Sequence, residues 1–157
     1  MEGAEKKFVL IGNGMAGVLE IEEVLKVSNE AFEITIFGSE PHPNYNRILL
    51  SKVLQGDTNV EDITLNDWNW YQENNITLYT GETVTNIDSV KKEVATNSGR
   101  VESYDELILA TGSLPFILPI PGSDKKGVTA FRDIKDTGDM QECSTGMSKR
   151  KQGGLST

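Results

Sequence analysis

Residues 8–17 read Phe8-Val9-Leu10-Ile11-Gly12-Asn13-Gly14-Met15-Ala16-Gly17, an apolar run that leads into glycines spaced G-x-G-x-x-G. Because the apolar run does not alternate with polar residues, it predicts a strand covered on both faces, as in a parallel sheet. Gly12 suits the positive φ of a tight turn, Gly14 lets a pyrophosphate approach the backbone, and Gly17 lets the next helix pack closely. The motif predicts a phosphate-binding turn at a helix N-terminus, although such turns also serve packing alone.

A helix and a second strand follow the glycine turn. Apolar residues recur at helical spacing from Met15 to about Val27, and charged residues fill the solvated positions between them. The segment Phe32 to Phe37 is rich in β-branched and aromatic residues and predicts the second strand. Together these elements predict a βαβ unit with a right-handed crossover.

Glu40 comes just after the predicted second strand, about 20 residues beyond Gly17. An acid at this distance binds the ribose hydroxyls in dinucleotide-binding folds. A carboxylate here favours a bare ribose, because it would repel a ribose 2′-phosphate. The alternative interpretation is an ordinary solvated glutamate at the end of a strand.

Two short helices are predicted in the middle of the chain, at Arg47–Leu54, closed by Gly56, and at Asp67–Asn74. The first helix carries Arg47 and Lys52, two cations in an acidic protein. They could neutralise a bound pyrophosphate, Arg47 through its bidentate guanidinium and Lys52 as a point charge. They could equally pair with acidic groups on the surface.

Extended segments dominate the next part of the chain. Those predicted to form a small antiparallel meander are Ile76–Tyr79, Thr83–Ile87, Glu93–Thr96 and Val101–Ser103, the last two flanking a hairpin turn at 97–100. Leu107–Ala110 then predicts a second fully buried strand, which stops at Thr111-Gly112. We expect this strand to return to the parallel sheet.

The order of elements predicts an α/β fold of the Rossmann-like kind: a parallel sheet with a βαβ start and a small antiparallel meander. We assign residues 1–136 to this domain. Residues 137–157 are polar, contain the basic run Lys149-Arg150-Lys151 and offer no apolar run that could form a strand. For these residues we expect a divergent tail, disordered or weakly helical.

Composition excludes several classes of function. The chain has 157 residues and a net charge of −9, which argues against nucleic acid or an anionic membrane as a partner. No apolar run approaches the roughly 20 residues of a membrane span, and the N-terminus does not resemble a signal peptide. Because the chain has one cysteine and one histidine, we expect it to form no metal site of the zinc or iron–sulfur type by itself. We expect a cytoplasmic protein.

Several motifs in a fixed order resemble the FAD-binding half of pyridine nucleotide-disulfide oxidoreductase-like flavoproteins, especially the N-terminal end of NAD(P)H-dependent assimilatory nitrite reductase large subunits. Those motifs are Val9-Leu10-Ile11-Gly12-Asn13-Gly14-Met15-Ala16-Gly17, Ile34-Thr35-Ile36-Phe37-Gly38-Ser39-Glu40-Pro41, Asn44-Tyr45-Asn46-Arg47-Ile48-Leu49-Leu50-Ser51-Lys52, Tyr104-Asp105-Glu106-Leu107-Ile108-Leu109-Ala110-Thr111-Gly112-Ser113 and Val128-Thr129-Ala130-Phe131-Arg132. The resemblance runs from about Lys7 to Asp136.

The resemblance implies a role for each matching residue, and FAD as the cofactor. Gly12, Gly14 and Gly17, with the backbone around Met15 and Ala16, would hold the pyrophosphate, and Glu40 the adenosine ribose. Arg47 and Lys52 would lie along the pyrophosphate and toward the isoalloxazine, where a cation stabilises reduced flavin. The remaining implied contacts are Val84 at the adenine edge, Ala110, Thr111 and Gly112 where the chain passes the cofactor again, and Arg132.

The resemblance also implies what the chain does not carry. In the family, NAD(P)H binds a second Rossmann unit, and nitrite reductases add iron–sulfur and sirohaem modules; this chain matches none of these parts. The domain is therefore expected to be incomplete relative to the family and inactive alone, with no catalytic residue assigned. The cysteine pair of the disulfide reductases is absent too.

Two other functions stay open. An NAD-binding dehydrogenase domain would use the same glycine turn and Glu40, but the Arg47/Lys52 helix and the Ala110-Thr111-Gly112 segment match the flavin pattern. A non-catalytic module could instead form a homo-oligomer through apolar surface that a missing domain leaves uncovered.

Overall fold

The structure is a computed structural model that describes residues 5–28 and 32–152. The chain divides into two units. A sheet unit comprises Met1–Tyr45 and Thr64–Gly112, and a helical unit comprises Asn46–Ile63 and Ser113–Thr157.

In chain order the elements are β1 (Lys6–Ile11), α1 (Met15–Ser28), β2 (Phe32–Gly38), α2 (Leu50–Gln55), α3 (Trp68–Glu73), β3 (Ile76–Thr80), β4 (Val84–Asp88), β5 (Glu93–Thr96), β6 (Val101–Ser103), β7 (Glu106–Leu109) and α4 (Ile134–Gln152). Two 3₁₀ turns, Arg47–Leu49 and Glu61–Ile63, precede α2 and α3. The α/β fold predicted from the sequence is confirmed.

The main sheet of the sheet unit has the strand order β3-β2-β1-β7, and all of its neighbours are parallel. In this register Ile11, the last residue of β1, lies between Phe37 of β2 and Leu109 of β7. The carboxyl ends of these three strands therefore share one edge of the sheet. Ligands of open α/β folds bind outside that edge.

Both faces of β1 are buried, as its unbroken apolar sequence predicts. Phe8 and Leu10 belong to a cluster on one face that includes Ile21 of α1 and Tyr71 of α3. Val9 and Ile11 belong to a cluster on the opposite face, with Val94 of β5. Helices therefore cover one face of the sheet. The antiparallel sheet, with strand order β4-β5-β6, covers the other.

Strand β3 differs from the sequence interpretation, which groups it with the antiparallel meander. It instead pairs in parallel with β2, from Ile34 opposite Ile76 to Gly38 opposite Thr80. Parallel neighbours need a crossover of a dozen or more residues. The segment between β2 and β3 is long enough to supply one, but its apolar pattern does not show which sheet its last strand joins.

Strand β7 is the return strand that the sequence predicts, but the expectation that it is fully buried is wrong. Leu107 and Ile108 are partly buried, whereas Glu106 is exposed and Leu109 is 61% exposed. The reason is its place at the edge of the main sheet, where β1 is its neighbour on one side. An apolar run alone does not distinguish an edge strand from a central one.

In the helical unit, the predicted short helix after Arg47 is present as a 3₁₀ turn followed by α2. Gly56, with a φ of 82°, ends α2 in a left-handed cap. Helix α4 extends into the predicted tail: residues 137–152, for which the sequence predicts disorder or a weak helix, are helical, and 153–157 lie outside the described residues.

A capping box explains why α4 begins where it does. Asp133 Oδ1 accepts a hydrogen bond of 2.8 Å from the Asp136 N–H, and Asp136 Oδ2 accepts one of 3.2 Å from the Asp133 N–H. This reciprocal pattern satisfies backbone donors that would otherwise lack partners at a helix start. Further along, the Gln141 side chain donates to the Val53 carbonyl of α2 at 3.1 Å. The helix is thus held by its cap and by a contact with α2.

Candidate cofactor site

The glycine turn after β1 lies directly beside the turn after β7. The Ala110 N–H donates to the Ile11 carbonyl at 2.8 Å, and the Gly12 N–H donates to the Phe37 carbonyl at 2.8 Å. A Cβ on Gly12 would lie 2.2 Å from the Ala110 carbonyl oxygen, and Gly12 has a φ of 112°. Only glycine fits this position. The two turns that the flavoprotein interpretation requires to be close are in contact.

Gly17 and Gly14 differ in their surroundings. A Cβ on Gly17 would lie 2.8 Å from the Gly12 carbonyl oxygen and 2.9 Å from the Ala110 Cβ, so Gly17 allows α1 to pack against both turns. A Cβ on Gly14 would meet nothing within 4 Å. Packing therefore explains the first and third glycines of the motif but not the second.

The start of α1 presents backbone donors at this edge. The Val18 N–H donates to the Gly14 carbonyl at 3.1 Å, which is the first bond of the helix. The amides of Met15, Ala16 and Gly17 precede that bond and have no partner within the helix. Met15 and Ala16 are exposed, and so are Thr111 and Gly112 of the neighbouring turn. The arrangement suits an anion such as a pyrophosphate.

Glu40 lies just beyond the carboxyl end of β2, the strand next to β1. The Tyr45 hydroxyl donates to Glu40 Oε2 at 2.7 Å, and Tyr45 is 6% exposed. A nearly buried partner therefore orients the Glu40 carboxylate, which an ordinary solvated glutamate would lack. The contact between Tyr45 and Glu40 could not be predicted, because the spacing of the two residues in the sequence does not indicate that their side chains meet.

Val84, the predicted adenine contact, begins β4 near Glu40. The Gly81 N–H donates to the Glu40 carbonyl at 3.1 Å, and the Glu82 N–H donates to the Gly38 carbonyl at 3.0 Å. The residues just before Val84 are therefore fastened to the end of β2. Val84 itself is partly buried and packs against the cluster around Val9 and Ile11.

Asn13 is a residue of this site whose role the sequence did not predict. It stands between Gly12 and Gly14, and its Oδ1 accepts a hydrogen bond of 2.9 Å from the Tyr71 hydroxyl. Its Nδ2 donates to the His42 carbonyl at 3.3 Å. The variable positions of a glycine motif carry no pattern of their own, so only the polar identity of Asn13 could have drawn attention to it.

Burial raises the pKa of Tyr71 to about 12, although the hydrogen bond from the Asn44 backbone acts in the opposite direction. The phenol therefore stays protonated at neutral pH and can donate to Asn13. It also accepts a bond of 3.2 Å from the Asn44 N–H. Tyr71 thus acts here as a neutral structural group.

The helical unit holds the other three predicted residues. Arg47 is partly buried, and its Nη1 donates to the Arg132 carbonyl at 3.2 Å. Arg132 is tied to the α4 cap, because its N–H donates to Asp136 Oδ2 at 2.8 Å. Lys52 is exposed on α2. The structure therefore brings Arg47 and Arg132 together within this unit and places Lys52 on the neighbouring helix.

Comparison with known proteins agrees with these features. Residues 6–149 match the family described as pyridine nucleotide-disulphide oxidoreductase. The chain belongs to this family. The match continues into α4 as far as residue 149, beyond the point near Thr137 at which the sequence interpretation ends the resemblance.

Two relatives show which members of the family are similar in sequence to this chain. The chain is 70% identical over 140 residues to an NAD(P)H nitrite reductase of Bacillus subtilis (strain 168), which covers 89% of this chain and 17% of that protein. It is 63% identical over 132 residues to the assimilatory nitrate reductase electron transfer subunit of the same organism, covering 84% of this chain and 17% of that protein. The chain thus spans about one sixth of the length of these relatives.

Among solved structures, NADH:rubredoxin oxidoreductase from Clostridium acetobutylicum superimposes with a TM-score of 0.77 at 28% identity. The alignment covers 90% of this chain and 36% of that one. The family and this structural neighbour are oxidoreductases by name, and membership of the family implies flavin binding. Among the residues that the structure describes, no helix combines the length and apolar character that a membrane crossing requires.

Proposed function

We propose that this chain is the FAD-binding part of an NAD(P)H-dependent nitrite reductase large subunit. Family membership and the 70% identity to a nitrite reductase support the class of enzyme. The observation that carries the cofactor is the contact between the Gly12 turn and the Ala110 turn, beside open space at Gly14. A turn that served packing alone would need no such space next to free helix amides.

Within the sheet unit, each residue has a distinct part in the proposal. The amides of Gly14, Met15, Ala16 and Gly17 donate to the pyrophosphate, and the start of α1 adds a favourable dipole. Glu40, oriented by Tyr45, accepts from the adenosine ribose hydroxyls. The backbone at Val84 meets the adenine edge. The segment Ala110, Thr111 and Gly112 passes the cofactor on the β7 side.

The helical unit contributes the cations. The resemblance assigns Arg47 to the pyrophosphate, Lys52 to the isoalloxazine side and Arg132 to a further FAD contact, and these assignments stay predictions. Within the helical unit itself, Arg47 Nη1 donates to the Arg132 carbonyl. In a chain with 24 acidic and 15 basic residues, such local cations are needed to offset the field of the whole protein. FAD, when bound, would supply hydride acceptance and one-electron transfer.

In the complete enzyme, electrons from NAD(P)H would pass through the flavin toward iron–sulfur and sirohaem centres for the reduction of nitrite. This chain would bind none of those other groups, and by itself it should not reduce nitrite. An assignment of residues 1–136 as one FAD-binding domain, a cytoplasmic location and association into homo-oligomers stay predictions from the sequence. Light scattering tests the last of these.

The proposal is tested by titrating the protein with FAD and with NADH, and by repeating both titrations on Gly14→Ala. We expect FAD to bind more tightly than NADH. Because a Cβ at Gly14 enters open space, the variant should fold with a loss of at most about 1 kcal/mol as a helix cap. It should bind FAD at least tenfold more weakly, because the methyl group occupies space that the proposal gives to the pyrophosphate.

Tighter binding of NADH would favour the dehydrogenase alternative. Equal FAD affinity in the wild type and Gly14→Ala would show that the pyrophosphate does not bind at this turn. Gly138→Ala is the matched control, since a Cβ there also meets nothing within 4 Å but lies in α4. It should leave FAD affinity unchanged.

A further inference from the structure

A chain of buried polar side chains runs beneath the glycine turn. Its centre is Tyr71 of α3, which is 2% exposed. The Tyr71 hydroxyl donates to Asn13 Oδ1 at 2.9 Å and accepts from the Asn44 N–H at 3.2 Å. One phenol thus joins the turn after β1 to the loop after β2.

The chain continues from that loop to α1. The Asn44 side chain donates to Asn66 Oδ1 at 2.8 Å, and Asn66 Nδ2 donates to Glu22 Oε1 at 2.9 Å. Asn44 is 3% and Asn66 is 5% exposed. Because Glu22 lies on α1, the helix that starts at the glycine turn is linked back to that turn through Tyr71. Fully satisfied buried networks of this kind restrict a structure to one geometry.

Asn13 is held from a third side by the end of β2. A Cβ on Gly38 would lie 2.9 Å from the Asn13 Cβ, so the asparagine rests on a position that must lack a side chain. The side chain is therefore fixed by a donor, an acceptor and a packing contact. Its backbone joins Gly12 to Gly14, the residue next to the proposed pyrophosphate position.

We propose that Tyr71 is a positioning residue for the glycine turn and acts through Asn13; the consequence for cofactor affinity rests on the proposed function. Without the hydroxyl, Asn13 Oδ1 and the Asn44 N–H lose a buried partner, and the turn gains alternative conformations. Preorganised donors bind an anion better than donors that must be ordered on binding. The Tyr71 hydroxyl thus keeps the turn amides in their binding geometry.

The test compares Tyr71→Phe, Asn13→Ala and the double variant. Amide hydrogen exchange of residues 13–17, measured without ligand, should be at least about fivefold faster in each variant, since local opening becomes easier. The FAD dissociation constant should rise about tenfold in each single variant, which corresponds to the loss of one or two buried hydrogen bonds. If Tyr71 acts through Asn13, the double variant should be little weaker than either single one.

Tyr104→Phe is the matched control, because Tyr104 is partly buried against the cluster around Val9 and Ile11, away from Asn13. It should change neither exchange nor affinity. Unchanged exchange in Tyr71→Phe, or additive losses of affinity in the double variant, would overturn the positioning role. Failure of the wild type to bind FAD would overturn the proposed function instead, and the exchange measurement would still decide whether Tyr71 holds the turn.

Discussion

At the scale of single residues, two glycines of one motif do different work. Gly12 has no room for a side chain, whereas Gly14 has room that nothing in the sheet unit fills. A sequence motif shows only that glycine is present at both positions. The structure separates the glycine that packing requires from the glycine that packing does not require.

We expect Gly12→Ala to destabilise the protein by more than about 2 kcal/mol. The substitution places a methyl group 2.2 Å from the Ala110 carbonyl oxygen at a φ of 112°, so steric overlap adds to the cost of a left-handed conformation. Urea unfolding followed by circular dichroism measures the loss. A variant as stable as the wild type would show that the turn can rearrange.

Tyr71 leads to a prediction about pH. Its pKa is raised to about 12 in the folded protein and is near 10 in an unfolded chain, so the folded state retains the proton over a wider range. The stability contributed by this group is fully present below pH 10 and is lost as the pH rises from about 10 through 12. Urea unfolding at pH 9 and pH 11 should therefore show a smaller loss of stability for Tyr71→Phe than for the wild type. Equal losses would contradict the raised pKa.

At the scale of elements, the sequence predicted what depends on local pattern and missed what depends on tertiary position. The two-faced burial of β1, the amphipathic α1 and the left-handed cap at Gly56 all follow from nearby residues. The edge position of β7 and the parallel pairing of β3 depend on which strands become neighbours. The contacts of Asn13 with Tyr71 and of Glu40 with Tyr45 likewise join residues whose spacing predicts nothing.

The sequence contains a local signal for the start of helix α4, but the polar composition of the segment led to a prediction of disorder or a weak helix. Its sequence is polar and contains Gly138, yet the Asp133-x-x-Asp136 capping box starts it. We expect Asp133→Ala to weaken α4 by about 1 kcal/mol, because the Asp136 N–H loses its acceptor. Amide hydrogen exchange within residues 134–141 measures the change as faster local opening.

Asp133→Asn keeps a side-chain acceptor and should retain most of the protection of α4. Asp139→Ala, at an exposed position of the same helix, controls for the loss of a carboxylate. Equal exchange in Asp133→Ala and Asp139→Ala would show that the capping box does not hold the start of α4.

At the scale of the whole molecule, a net charge of −9 opposes a cofactor that carries two phosphates. The affinity for the phosphates must then come from groups close to them. The net charge of the protein weakens the attraction of these groups but does not cancel it. Under the proposal, those groups in the sheet unit are the amides at the start of α1, whereas the part assigned to Arg47 and Lys52 stays a prediction from the sequence. The proposal thus assigns the adenosine diphosphate half of FAD a large share of the binding energy.

Thermal unfolding tests how much of the FAD binding energy the adenosine diphosphate half supplies. At free FAD about 100 times its dissociation constant, binding to the folded state adds about 2.7 kcal/mol, which raises the Tm of a protein of this size by about 5–10 °C. Riboflavin has the isoalloxazine but lacks the adenosine diphosphate, so at the same concentration it should raise the Tm by much less. If riboflavin raised the Tm as much as FAD does, the adenosine diphosphate would add nothing to the affinity. The glycine turn and Glu40 would then not hold the cofactor, because the proposal gives them contacts to that half of FAD alone.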